Sequence, residues 1–151
     1  MLNIKNTQKK FALDINKISN DVEKILNLLK YKDFDLGIWF TNNKTIRFYN
    51  KEYRNKDKAT DVLSFQYHED LQAGQRIKIK NIEDKNLGDL IISVEYTDQE
   101  SKKLSVSLHD HIRRLIVHGI CHLLGYDHIK DEDWRRMRAK EGWLLKKLRN
   151  N

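Results

Sequence analysis

Apolar residues recur at every third or fourth position in four stretches of the chain, the spacing of a helix with one buried face. In the first stretch Ile18, Val22 and Ile25 lie on one stripe, so this helix must pack against another element. The third stretch ends at a glycine, and the fourth opens with an acidic triplet at the positive end of the helix dipole. The predicted helices span residues 14–30, 45–54, 107–124 and 131–148.

Strand patterns separate these helices. Apolar and polar residues alternate over 34–41, as in a half-buried strand, and short apolar runs occupy 62–65 and 87–94. The last run is almost continuously apolar, which is typical of a strand covered on both faces. Residues 71–85 are polar and ambiguous, and favour at most a hairpin arm. The order predicts an α/β (α+β) fold, in which about five helices cover a small mixed sheet of about four strands.

Composition narrows the class of protein. The chain has 151 residues, 39% of them hydrophobic, without a repeat or linker, which predicts one domain over residues 1–151. It contains neither the roughly 20 consecutive apolar residues of a membrane span nor a signal peptide, so we expect a cytoplasmic protein that binds no membrane. The only cysteine, Cys121, cannot form an internal disulfide. A net charge of +7 favours anionic partners, among them nucleic acid.

The strongest chemical signal is a group of three histidines. His118 and His122 are four residues apart on a predicted helix, so their side chains lie one turn apart on the same face. Gly125 ends that helix, and His128 follows in a loop that can fold back toward it. Three protein ligands leave one open position on a tetrahedral zinc ion, which is the arrangement of a catalytic site. We therefore predict one zinc ion per chain.

The same spacing, with glycine in the eighth position, occurs in the zinc-binding signature of metzincin proteases. Those enzymes carry a glutamate directly after the first histidine as general base, whereas this chain has Gly119 there. The sequence thus favours the metal and disfavours a protease. A glutamate placed at position 119 is expected to project toward the open metal position, where a substrate must approach.

The histidine block HGICHLLGYDH, residues 118–128, resembles the signature of the YbeY family of bacterial ribosomal-RNA maturation factors. Two further blocks are similar to motifs of that family, NKEYRNKDKATDVLSF at 50–65 and LGDLIIS at 87–93. Together with the last helix, the resemblance extends over residues 45–148.

The resemblance implies a metal-dependent endoribonuclease that prefers single-stranded RNA and acts in ribosomal-RNA maturation and ribosome quality control. It implies ribosomal RNA and the small ribosomal subunit as partners of a monomer. His118, His122 and His128 match the family's metal ligands, and Arg54 matches an arginine facing the metal cleft that is inferred to bind phosphate. Arg54 and His118 are accordingly the expected catalytic residues.

Alternatives remain open for the function and for single residues. A ribosome-assembly factor that binds RNA around a structural zinc has the same sequence features, and Arg54 lies in a basic segment that is otherwise typical of a solvated face. Asp127 is expected to form a turn rather than to accept a proton. His111 lies too far along the helix to ligate, which leaves a core histidine or a phosphate contact. His68 and His109 have no partner that the sequence identifies and are expected at the surface. The candidates to orient the imidazoles are Asp61, Ser64 and Asp89.

Overall fold

The structure is a computed structural model and describes residues 1–149. It contains four strands and five α-helices, with a short 3-10 turn at Ile82–Asp84. The strands are β1 (Leu2–Asn6), β2 (Asp35–Thr41), β3 (Val62–Gln66) and β4 (Asn86–Ser93). The helices are α1 (Ile15–Leu28), α2 (Asn43–Arg54), α3 (Val94–Leu104), α4 (Leu108–Leu123) and α5 (Asp131–Arg149). The predicted α+β class is confirmed.

The four strands form one mixed sheet in the order β1-β2-β4-β3. β1, β2 and β4 run parallel, while β3 pairs antiparallel with β4 at one edge. Leu90 and Ile92 of β4 face the main core, which contains the buried residues of α1, α4 and α5. Ile91 points the other way and packs with Ile46 of α2 and with Leu63. β4 is therefore covered on both faces, as its apolar run predicts.

α4 lies directly on the sheet because Gly119 has no side chain. A Cβ atom at Gly119 would come within 2.7 Å of Leu90 Cδ2, so this position is filled by the strand below. Ser107 begins the helix, where its hydroxyl accepts a hydrogen bond from the Asp110 N–H (3.1 Å). This close contact fixes the distance between the sheet and the histidines of α4.

The hydrophobic pattern does not predict two of the observed elements, α3 and β1. The prediction of a hairpin arm within residues 71–85 is wrong. α3 buries Thr97 and Ser101 on its inner face, so it has no apolar stripe to detect. β1 is a short edge strand with two half-buried positions. The fourth strand is thus β1, because residues 71–85 form no strand. The backbone N–H of Ile77 instead donates to the Tyr31 hydroxyl (3.1 Å), and Arg76 donates to the Leu29 carbonyl (2.8 Å).

Among residues 1–149, no helix combines the length and apolar character that crossing a membrane requires.

Candidate metal centre

The three predicted histidines lie together at the end of α4. Each offers a ring nitrogen, and the three nitrogens lie within 4.8 Å of one another. The Nε2 atoms of His118 and His122 are 3.1 Å apart. Two nitrogens bound about 2.0–2.1 Å from one tetrahedral zinc ion lie about 3.3 Å apart, so the pair already has close to the spacing of a shared ligand set. The group could therefore bind a transition metal.

His128 reaches this group because the chain reverses at Gly125. The Gly125 N–H donates to the His122 carbonyl (3.0 Å). Gly125 has a φ of +93°, a backbone conformation that residues with a side chain rarely adopt. A Cβ atom there would also overlap the Leu71 carbonyl oxygen. After the reversal, Asp127 accepts a hydrogen bond from the Ile129 N–H (3.3 Å), so its predicted role in the turn is confirmed.

Burial favours the neutral form of the central imidazole. Burial, followed by the neighbouring His118 and His128, lowers the pKa of His122 to about 4. Its imidazole is thus neutral at physiological pH and keeps a lone pair for a metal. The electrostatics of the group suit a metal ligand better than a proton carrier.

Cys121 stands beside His122 in the sequence but does not join the group. The residue is fully buried in the main core, and burial raises the pKa of its thiol to about 12. A protonated thiol in an apolar setting is a poor metal ligand, so the candidate donors are nitrogens. Imidazole ligands suit zinc, copper, iron or nickel, and leave the choice of metal to other factors.

One further side chain, which no histidine spacing predicts, contacts the histidines. Glu141 of α5 lies with Oε2 2.8 Å from Nδ1 of His118, although the two residues are far apart in the chain. A signal for it exists: Glu141 interrupts the apolar stripe formed by Met137, Leu144 and Leu148, all of which are buried. A carboxylate in such a stripe needs a partner, and here the partner is an imidazole.

The histidines open into a cleft of about 640 Å³ at the β3 edge of the sheet. Arg54, which is exposed at the end of α2, lines the same cleft. The lining residues from β3 are Val62, Leu63, Ser64 and Gln66, three of which share one face of the strand. The expected catalytic arginine and the three histidines therefore face one space.

A sequence model of the family described as Endoribonuclease YbeY matches residues 3–149. A protein of Aquifex aeolicus named Endoribonuclease YbeY is 40% identical over 93% of this chain and 87% of its own. A human protein of the same name is 35% identical over 96% of this chain and 86% of its own. This chain belongs to the YbeY family. The family and the enzyme class predicted from the sequence, an RNA-cleaving hydrolase, are thereby confirmed.

The fold is also found in a solved structure. The solution structure of TM1509 from Thermotoga maritima matches 100% of this chain and 93% of its own length, with a TM-score of 0.58. At 19% identity this likeness concerns the fold alone.

In this YbeY-family chain, the structure separates Asp89 from Asp61 and Ser64, the other two residues predicted to orient the imidazoles. Asp61 and Ser64 line the cleft, but the Asp61 carboxylate accepts a hydrogen bond from the Val62 N–H (2.7 Å) and so caps the strand. Asp89 lies on the opposite face of the sheet, in a second cleft with Trp39. Strand alternation turns it away from the histidines, so Asp89 cannot orient them.

The expected position of Gly119 also needs correction. One residue after His118, it faces the sheet rather than the cleft, because adjacent helical residues differ by about 100° around the axis. A glutamate there would enter the core beside Leu90 instead of approaching the metal.

The remaining histidines lie outside the group. His111 is 7% exposed, with Nε2 3.0 Å from Glu100, so it is a core residue. His68 and His109 are half-buried and do have partners, which corrects the prediction. His68 Nε2 lies 2.8 Å from the Asp84 carbonyl, and His109 accepts from the Asp14 N–H (3.0 Å). Contacts of this kind between a side chain and the backbone leave no mark in the sequence pattern.

Proposed function

We propose that this protein is a zinc-dependent endoribonuclease with a preference for single-stranded RNA, acting in ribosomal-RNA maturation and ribosome quality control. It works in the cytoplasm as a one-domain monomer over residues 1–151, with ribosomal RNA and the small ribosomal subunit as partners. One observation carries the proposal: the nitrogens of three histidines lie within 4.8 Å of one another in a cleft that Arg54 also lines. The relatives named Endoribonuclease YbeY support it.

His118, His122 and His128 hold one zinc ion per chain through their ring nitrogens. When bound, a divalent metal supplies Lewis acidity, which withdraws negative charge from a phosphate oxygen or makes a water molecule more acidic. Arg54, which lines the same cleft, binds the phosphate, because its guanidinium fork can donate to two phosphate oxygens at once. The arginine thereby positions the scissile bond in the cleft of the histidines and stabilises the charge that develops there.

Gly119 has no side chain that could accept a proton, so proton transfer must use other groups. The carboxylates among the cleft residues are Asp61, Glu69 and Asp127. Asp61 and Asp127 already accept hydrogen bonds from nearby backbone. Glu69 is exposed in the loop after β3, so these three carboxylates are the candidates for the proton acceptor.

Positive charge around Arg54 serves to attract RNA. Arg54 lies in the segment 44–58, which has six basic residues and two acidic ones, and the whole chain carries a net charge of +7. Such charge attracts phosphates without regard to sequence. Arg47 is paired with Asp57 (2.8 Å) and so contributes less to this attraction than an arginine without a carboxylate partner.

The alternative with a structural zinc is less well supported. Structural zinc sites are closed by four protein ligands. Over residues 1–149 the histidine group consists of three side chains, with no cysteine or carboxylate among its candidate ligands. A cleft beside an incomplete ligand set fits a site that admits substrate.

The test is cleavage of a defined single-stranded RNA by purified protein, metal-replete or chelator-treated, beside a His118→Ala variant. We expect cleavage from the replete protein, loss on chelation, recovery on zinc addition and no recovery in the variant. Equal cleavage by all four samples would refute the metal-dependent enzyme. Binding without cleavage by every sample would instead support the assembly factor.

A further inference from the structure

We propose that Glu141 is a positioning residue, which fixes the His118 ring so that Nε2 and not Nδ1 faces the metal. The inference rests on the proposed function only for its effect on metal binding. The orientation of the ring itself follows from the contact between α4 and α5. Nothing in the histidine spacing predicts which of the two nitrogens is used.

The contact selects one tautomer of His118. Glu141 Oε2 lies 2.8 Å from Nδ1, and an ionised carboxylate can only accept a hydrogen bond. Nδ1 must then carry the proton, so that Nε2 of the neutral ring keeps its lone pair. This Nε2 is the atom 3.1 Å from Nε2 of His122. The carboxylate therefore points the lone pair of His118 at the place where the second ligand already is.

α5 holds the carboxylate firmly. Met137 and Leu144, one turn before and almost one turn after Glu141, are both buried against the main core. The Glu141 side chain is only 19% exposed, and that of His118 is 31% exposed. Because neither group is free in water, the hydrogen bond between them is stronger than a surface pair and restricts the rotation of both.

The negative charge acts on the ligand as well as on its orientation. A carboxylate that accepts from the remote nitrogen makes the imidazole a stronger donor to a metal, and such partners typically change metal affinity 10- to 100-fold. Orientation and charge can be separated by substitution. Glutamine at position 141 keeps an acceptor without the charge, while alanine removes both.

The experiment compares Glu141→Ala and Glu141→Gln with a matched control, Glu132→Ala, which removes the same charge from an exposed site on the same helix. Zinc affinity is measured by competition with a chelating dye. Nitrogen NMR of the metal-free proteins reports the His118 tautomer, and circular dichroism verifies folding. We expect Glu141→Ala to weaken zinc binding about 10- to 100-fold and to release His118 into a mixture of tautomers. Glu141→Gln should lose less, and Glu132→Ala nothing.

The two measurements separate this inference from the metal centre. If the wild-type protein bound no zinc but showed Nδ1-protonated His118 that Glu141→Ala loses, the positioning would stand and the metal centre would fall. Unchanged His118 tautomers in folded Glu141→Ala, which removes the acceptor, would overturn the positioning role. Loss of thermal stability alone, with tautomer and affinity unchanged, would reduce Glu141 to a packing residue and would also overturn it.

Discussion

The two faces of the sheet carry clefts of different chemistry. At the β3 edge, on the side of α4, the cleft of about 640 Å³ contains three imidazoles and Arg54. On the other face, a cleft of about 360 Å³ is lined by aromatic side chains such as Trp39 and Tyr53, and by Asp89. Both clefts contain polar groups from strands, but ring nitrogens converge in the first alone among residues 1–149. A concave surface with a carboxylate is thus not sufficient for a metal site.

Side-chain direction alone separates neighbouring residues of β4 between the two faces of the sheet. Asp89 and Leu90 are neighbours in β4, yet Leu90 packs under Gly119 of α4 while Asp89 opens to the far cleft. Partial desolvation raises the pKa of Asp89, as expected for a carboxylate beside apolar rings, although the residue as a whole is exposed. If the account is right, substitutions near the first cleft change cleavage, and substitutions in the second leave it unchanged.

The largest effect is expected for Arg54→Glu, with Lys51→Glu as its control. Both residues lie in the last turn of α2 and both variants change its charge by the same amount, but of the two only Arg54 lines the histidine cleft. If Arg54 stabilises developing charge, single-turnover cleavage falls about 100-fold or more. RNA affinity, measured at constant salt, should fall much less. Equal losses of cleavage in the two variants would mean that Arg54 provides only general attraction.

An intermediate effect is expected from adding a methyl group at Gly119. Gly119→Ala places a Cβ atom against Leu90 and should lower the free energy of unfolding of the metal-free protein by about 1–3 kcal/mol. Gly142→Ala is the matched control, because nothing lies within 4 Å of its Cβ position on α5. That variant should gain about 0.5–1 kcal/mol from helix propensity. Urea unfolding measures both, and the same sign in both variants would contradict the packing of α4 on β4.

The smallest effect is expected for Asp89→Asn in the far cleft. RNA cleavage by the purified protein should stay unchanged, because the side chain does not face the histidines. A raised pKa means that the ionised carboxylate is disfavoured in the folded state, so wild type loses stability as pH rises through the pKa of Asp89.

The Asp89→Asn variant lacks that penalty, because an amide does not ionise. It should therefore melt slightly higher than wild type at pH 7, and this difference should vanish near pH 3, where Asp89 is protonated in both the folded and the unfolded chain. Thermal unfolding at the two pH values measures this difference in melting temperature. In the separate cleavage assay, a clear loss of activity in Asp89→Asn would show that the two faces of the sheet are coupled.

Much of this molecule follows from local sequence patterns. The helices that became α1, α2, α4 and α5 have apolar stripes, and their observed ends lie within two residues of the predicted ones. The histidine group was predictable for the same reason, since helical spacing and one glycine bring the residues together. Arg54 was different, because its place in the cleft was expected from the family resemblance and not from any spacing.

The features that were missed depend on contacts between distant segments. α3 is held by buried Thr97 and Ser101, which no hydrophobic pattern reveals. The pairing of His118 with Glu141 depends on how α5 packs against α4, and the direction of Asp89 depends on which face of the sheet each helix covers. Sequence periodicity identifies the buried face of a helix or strand, but it does not identify the element against which that face packs.

The central claim is that metal held by the three histidines is required for RNA cleavage. Its most direct test is to add zinc stepwise to chelator-treated protein while measuring bound metal and cleavage of a single-stranded RNA in the same samples, with His122→Ala alongside. The account predicts that cleavage rises in proportion to bound zinc, saturates at one ion per chain and stays absent in His122→Ala. Full binding of one zinc per chain without any cleavage, or wild-type cleavage before zinc is added, would contradict it.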